Sequence, residues 1–211
     1  MIEPCLKPDH ITEASAPRKK DADGKQVGDR RLCCNYKALN DITEKDEYTM
    51  PTLEQCTEVK KGRIFTKLDL KSGFWQILMA PEDRAKTAFR IGRKLFQWRV
   101  MPMGLKNSPF TFQRLMDKVL TGIIGVFVYV YVDDIIIFSD SWDDHLKHIQ
   151  TVLQRLADAN LRLNLPKCQF GLARVKFLGV MISHNQIPRK DKCSERSQLP
   201  TRRDERKRQS E

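Results

Sequence analysis

The sequence predicts an α+β fold in which an antiparallel sheet packs on helices, and three observations predict it. The run VYVYVDDIIIF, from Val128 to Phe138, is β-branched and aromatic on both sides of an acidic pair, as two short strands would be. TAFRIGRKLFQWRV reads as a second strand pair joined at Gly92-Arg93-Lys94. Two segments with apolar residues at helical spacing, SPFTFQRLMDKVL and Trp142 to Asn160, bracket the first pair.

Taken in order, the first forty or so residues are polar, with Pro8, Pro17 and the stretch KKDADGKQVGDRR, an exposed basic loop or hairpin tip that runs into LCCNYKALN. From Arg63, FTKLDL is a short strand ending at Asp69. In the first helix Phe110, Phe112, Leu115, Met116, Val119 and Leu120 form one stripe, with Ser108 as N-cap and Pro109 at the first helical position. The second helix offers Leu146, Ile149, Val152, Leu153, Leu156 and Ala157 to a core. VKFLGVMIS reads as a last strand. From about Pro188 the chain holds almost no apolar residue, cannot offset the entropy of ordering, and is expected to be a basic disordered tail.

A chain of 211 residues with 40% hydrophobic content can bury a core. Its net charge of +11 concentrates polyanions, nucleic acid or an acidic membrane surface. The run from Ile123 to Phe138 is too short and too charged for a membrane span of about 20 residues, so no membrane is expected. The six cysteines, at 5, 33, 34, 56, 168 and 193, lack C-x-x-C spacing and follow no signal segment. They are expected to be reduced, mostly buried thiols of an intracellular protein.

Asp133 and Asp134 interrupt an apolar run, and burying an unpaired carboxylate costs on the order of several kcal/mol. A hairpin whose turn holds both acids answers that cost, because Asp tolerates turn conformations and a turn faces water. Alternatively the acids have work to do. Asp69 ends another apolar strand, and three carboxylates at strand ends suit Mg2+, a hard cation that takes oxygen ligands and substrate phosphates. A pair of such ions promotes phosphoryl transfer, which with the positive charge points to nucleic acid.

The ordered blocks RRLCCNYKALN, FTKLDLKSGFWQI, MPMGLKNSPFTFQRLM, YVDD and KFLGV together resemble the reverse transcriptase domain of gypsy-type LTR retrotransposon Pol polyproteins. The resemblance implies a right-hand polymerase of fingers and palm: residues 1–45 partial fingers, 46–185 the palm with the remaining fingers hairpin near 78–107, and 186–211 the tail. It implies an RNA-directed DNA polymerase in which a primer 3′-hydroxyl attacks the α-phosphate of a deoxynucleoside triphosphate. Two Mg2+ or Mn2+ ions would be held by Asp69, the Leu70 carbonyl, Asp133 and Asp134. The template-primer would be RNA or DNA.

The same resemblance assigns the triphosphate to Lys20 and Arg31 of the fingers and to the backbone amides of Ser72 and Gly73. Lys19 and Lys25 lie close enough in that loop to compete for the lysine role. Phe74 matches the aromatic that blocks a ribose 2′-hydroxyl, and Met103 a residue lining the nucleotide pocket. Tyr131 and Val132 would lie against the primer end, and Phe177, Leu178 and Gly179 match a primer-gripping hairpin. By residue type alone Phe74 and Met103 equally suit core packing, Gly73 a simple turn, Arg31 a solvated surface, and Tyr131, Val132 and Phe177 plain strands.

The pattern departs from the family in three places. HITEASAPRKK stands where an apolar strand is usual, so an incomplete fingers sheet is expected. Asn35 replaces a usual Asp. After ISHNQIP no thumb or ribonuclease H sequence follows in these residues. Without a thumb, duplex binding would rest on salt-sensitive phosphate contacts. The implied consequences are weak synthesis by this chain alone, a partner polymerase chain supplying a thumb, or a catalytically inactive remnant that binds nucleic acid. A metal-dependent nuclease is disfavoured, since no base to activate water is evident.

Overall fold

The structure is a computed structural model, and it describes residues 1–16, 18–20, 26–30, 32–52, 59, 62–184 and 189–190. The chain opens with strands β1 (Ile2–Pro4), β2 (Thr12–Ser15), β3 (Arg18–Lys20), β4 (Gln26–Arg30) and β5 (Cys33–Cys34), then helix α1 (Lys37–Ile42). Next come β6 (Ile64–Asp69), β7 (Phe89–Ile91), β8 (Lys94–Trp98) and α2 (Ser108–Val119). Strands β9 (Val128–Tyr131) and β10 (Asp134–Ser139) precede α3 (Trp142–Asp158), and β11 (Gln169–Leu172), β12 (Arg174–Phe177), β13 (Val180–Ser183) and β14 (Arg189–Lys190) follow it.

A four-stranded antiparallel sheet, in the order β11-β6-β10-β9, forms the centre. Its side chains alternate between faces, as a pleated strand requires. Leu68, Val128, Val130, Ile135 and Ile137 meet Phe112, Met116 and Leu120 of the α2 segment and Val152 and Leu156 of α3. Phe65, Tyr129, Ile136 and Phe138 point the other way, onto Val175, Phe177 and Ile182 of the β12-β13 hairpin. Both faces are therefore covered, which is why Ile135 to Phe138 is apolar without interruption. A five-stranded sheet, β1-β8-β7-β2-β5, encloses a separate cluster of Tyr36, Phe89, Trp98 and Val100.

Several expectations are corrected. HITEASAPRKK does supply a strand: β2 pairs with β7 in parallel and β5 in antiparallel, and Thr12 is buried. Backbone pairing tolerates its polar residues because one side of the strand faces water. Ser108 is the first residue of α2, and the cap position falls to Asn107, whose side chain bonds the Glu44 carbonyl and Asp46 amide instead of the helix end. VKFLGVMIS is a hairpin, since Leu178 and Gly179 both take positive φ (49° and 80°), the geometry of a two-residue turn.

In α3 the core face is built from His145, Val152 and Leu156, leaving Leu146 61% and Leu153 36% exposed. Of the described cysteines only Cys5 is buried, whereas Cys33 is exposed. Arg189 and Lys190 of the expected tail pair with β13; the rest of it, and Asp21–Lys25 of the basic loop between β3 and β4, lie outside the described residues. No helix among the described residues is long and apolar enough to cross a membrane.

A buried polar cluster ties α3 to the central sheet. His145 is fully buried, with Nε2 2.8 Å from Thr66 Oγ1 of β6 and Nδ1 2.9 Å from Ser139 Oγ of β10. Burial first, and the nearby His148 second, push His145 below its ordinary value of 6.5. The unfolded chain therefore binds a proton that the folded chain refuses, so stability is lost as pH falls below about 6.5 towards the folded value. Denaturant midpoints at pH 7.5 and 5.5 are expected to show this loss, and a His145→Gln variant to show less of it; equal pH dependence would contradict the assignment.

Candidate active site

The register of β6 against β10 places Asp69 directly opposite Asp134, and β9 places Tyr131 beside it. Only Asp133 lies in the turn: the two-residue connection is Val132-Asp133, and Asp134 is already the first residue of β10. That corrects the expectation of both acids in the turn. Val132 takes φ +54°, a conformation β-branched residues rarely adopt.

Two lysines supply the countercharge that the sequence left open. Lys67 Nζ lies 2.8 Å from Asp134 Oδ1, and Lys167 Nζ 3.3 Å from Asp69 Oδ2. Asn164 donates from Nδ2 to Asp69 Oδ1 (3.2 Å) and from its backbone to the Asp69 carbonyl (2.8 Å). Asp133 is exposed as a residue, yet crowding by neighbouring protein, then the charges of Asp134 and Asp69, raise its carboxyl above the ordinary value; its own backbone amide and Lys167 oppose this. Three like charges are thus within reach of one another.

Among the described residues no group of three His, Cys, Asp or Glu side chains is set to hold a metal ion, and Asp69 and Asp134 engage Lys167 and Lys67. The donor set nevertheless fits a divalent cation chemically. It offers hard carboxylate oxygens whose mutual repulsion an ion would relieve.

Around the acids, Ser72 (φ +52°) and buried Gly73 form a tight turn after Leu70, which donates its N–H to the Asp133 carbonyl at 3.4 Å. A Cβ on Gly73 would lie 3.0 Å from Phe112 Cζ and 3.3 Å from Asp133 Cβ, so glycine permits this close approach. Phe74 is half-buried and meets Phe112 edge-on at 5.6 Å. Met103 is exposed, which removes core packing as its role. Tyr131 and Val132 are half-buried beside the acids.

At the β12-β13 turn Gly179 is exposed and Leu178 is half-buried against the cluster beneath, whereas Phe177 is 1% exposed and its side chain belongs to the core. Lys20 is placed only by its backbone in β3, and Arg31 lies outside the described residues. Sequence reasoning missed Lys67, Asn164 and Lys167. Lys67 carries a signal, since it stands two residues before Asp69 on the same strand face. Lys167 is separated from Asp69 by 98 residues and carries none.

A profile of the reverse transcriptase (RNA-dependent DNA polymerase) family matches residues 17–182. The Pol polyprotein of the gypsy transposon of Drosophila melanogaster is 42% identical over 166 residues, 78% of this chain and 16% of that protein. Polyprotein P3 of Commelina yellow mottle virus is 42% identical over 161 residues, 76% of this chain and 8% of that protein. The chain thus spans well under a fifth of either relative. The foamy viral protease-reverse transcriptase solved with double-stranded DNA superposes at a TM-score of 0.80 and 24% identity, covering 95% of this chain and 34% of that one. The native prototype foamy virus enzyme gives 0.74 at 27% identity, covering 88% and 24%. A strand pair bearing YVDD against a strand ending in Asp69, inside that fold, makes this chain a member of the reverse transcriptase family, of the gypsy type.

Proposed function

We propose that this chain is an RNA-directed DNA polymerase domain that joins deoxynucleotides to a primer 3′-hydroxyl on an RNA or DNA template, with two divalent cations as cofactors. The observation that carries it is Asp69 opposite Asp134 across β6 and β10, with Asp133 in the adjoining turn. Related foamy viral enzymes have been solved with double-stranded DNA and with an RNA/DNA hybrid, which supports a template-primer as the partner here.

Asp69, the Leu70 carbonyl, Asp133 and Asp134 would hold the ions, Mg2+ or Mn2+, which when bound supply a lowered hydroxyl pKa and neutralisation of phosphate charge. The protein's own part is positional. Lys67 and Lys167 balance Asp134 and Asp69, and these partly exposed ion pairs would cost little to exchange for a bound cation. The Ser72 and Gly73 amides approach the triphosphate, Lys20 and Arg31 neutralise it, and Met103 borders the base. Tyr131, Val132, Leu178 and Gly179 flank the primer end, while Phe177 anchors its hairpin from the core.

Phe74 blocks the ribose 2′-hydroxyl in this proposal, its ring fixed by Phe112. Phe74→Val is expected to raise ribonucleotide use relative to deoxynucleotide use by roughly 10- to 100-fold, read as the ratio of kcat/KM values. An unchanged ratio would remove Phe74 from the nucleotide pocket. A second reading, an inactive remnant that binds nucleic acid, draws support from the lysines that already balance Asp69 and Asp134.

A further inference from the structure

Gln113 is a polar residue that the helical stripe of α2 does not account for, and it is fully buried. An amide in the core is costly unless each polar atom is bonded. Here its Nε2 donates to the Val130 carbonyl (3.2 Å) and to Asp117 Oδ1 (2.9 Å), and its Oε1 accepts from the Val132 N–H (2.7 Å). Asp117, in turn, accepts from the Tyr48 hydroxyl on its other oxygen at 2.5 Å.

The chemistry fixes the amide's orientation. An ionised carboxylate only accepts, so Nε2 must face Asp117, and Oε1 is left to face Val132. Val132 is the residue held at φ +54°, where a branched side chain has no intrinsic preference to be. Its N–H lies in the connection, beyond the ladder that joins β9 and β10. Gln113 is the partner that claims it.

We propose that Gln113 is a positioning residue: by holding the Val132 N–H it keeps the turn in its positive-φ conformation and so sets where Asp133 projects, with Asp117 and Tyr48 fixing the amide. The catalytic consequence rests on the polymerase function proposed above; the hold on the turn does not.

The test compares the parent, Gln113→Met, Val132→Gly and the double variant. Methionine keeps the length and loses the acceptor and donors, and glycine takes positive φ without help. Hydrogen exchange at the Val132 amide is expected to quicken at least about tenfold in Gln113→Met. Primer extension is expected to show kcat lowered about 10- to 100-fold with a smaller change in deoxynucleotide KM, and in the Val132→Gly background the loss caused by Gln113→Met shrinks to less than about threefold.

Unchanged exchange at Val132, or equal losses in both backgrounds, would overturn the proposal. If Gln113→Met does not fold, Gln113→Asn replaces it: the side chain stays polar but is one methylene too short to reach the Val132 N–H, and the same two readouts apply with the same expected directions. If the parent incorporates nothing, the polymerase function fails, and the exchange measurement still decides whether Gln113 holds the turn.

Discussion

Asp69→Asn is expected to lower nucleotide incorporation by about a thousandfold or more, because an interaction of several kcal/mol at the reacting phosphate is removed and each 1.4 kcal/mol is about tenfold. Asparagine keeps the shape and the contact with Asn164 while removing the charge. The ion pair it breaks involves a lysine side chain that is 54% exposed, so the fold loses little. The melting temperature should stay within about 3 °C of the parent. Activity measured beside thermal unfolding checks both halves, and incorporation retained within tenfold would show that Asp69 is not essential to the chemistry.

Phe112→Ala is the largest stability effect expected. Phe112 is fully buried in the cluster between α2 and the central sheet, and its ring supports Phe74 edge-on and Gly73 at close range. Truncating such a ring costs about 3–5 kcal/mol in lost transfer energy and residual cavity. Set against a typical total of about 5–15 kcal/mol, that brings the domain near its unfolding threshold. Urea unfolding should show the loss; a cost below about 1 kcal/mol would mean that the core collapses around the gap.

The central sheet was legible because Val128 to Phe138 combines β-branched runs with a break that only a turn explains. The site's acids were legible for a related reason: Asp69 ends an apolar strand, and Asp133 and Asp134 break an apolar run between two others. What stayed hidden was held by tertiary contacts. Lys167 and Asn164 reach Asp69 from a loop far along the chain, and Gln113 looks like any polar residue of an amphipathic helix until Val132 is seen above it. Leu146 and Leu153 misled because an apolar count passes over His145, whose ring is satisfied by Thr66 and Ser139 and so can occupy the core face. The Leu178-Gly179 turn was missed in the strand pattern because leucine is not a residue that announces positive φ.

That the three aspartates form a working polymerase site is decided by extension of a DNA primer on an RNA template. The assay compares the parent with Asp133→Asn, at low salt with Mg2+ or Mn2+. The parent is expected to incorporate nucleotide and the variant to lose incorporation, with template-primer binding unchanged in both. Binding without incorporation by the parent would contradict it and leave an inactive nucleic-acid-binding remnant.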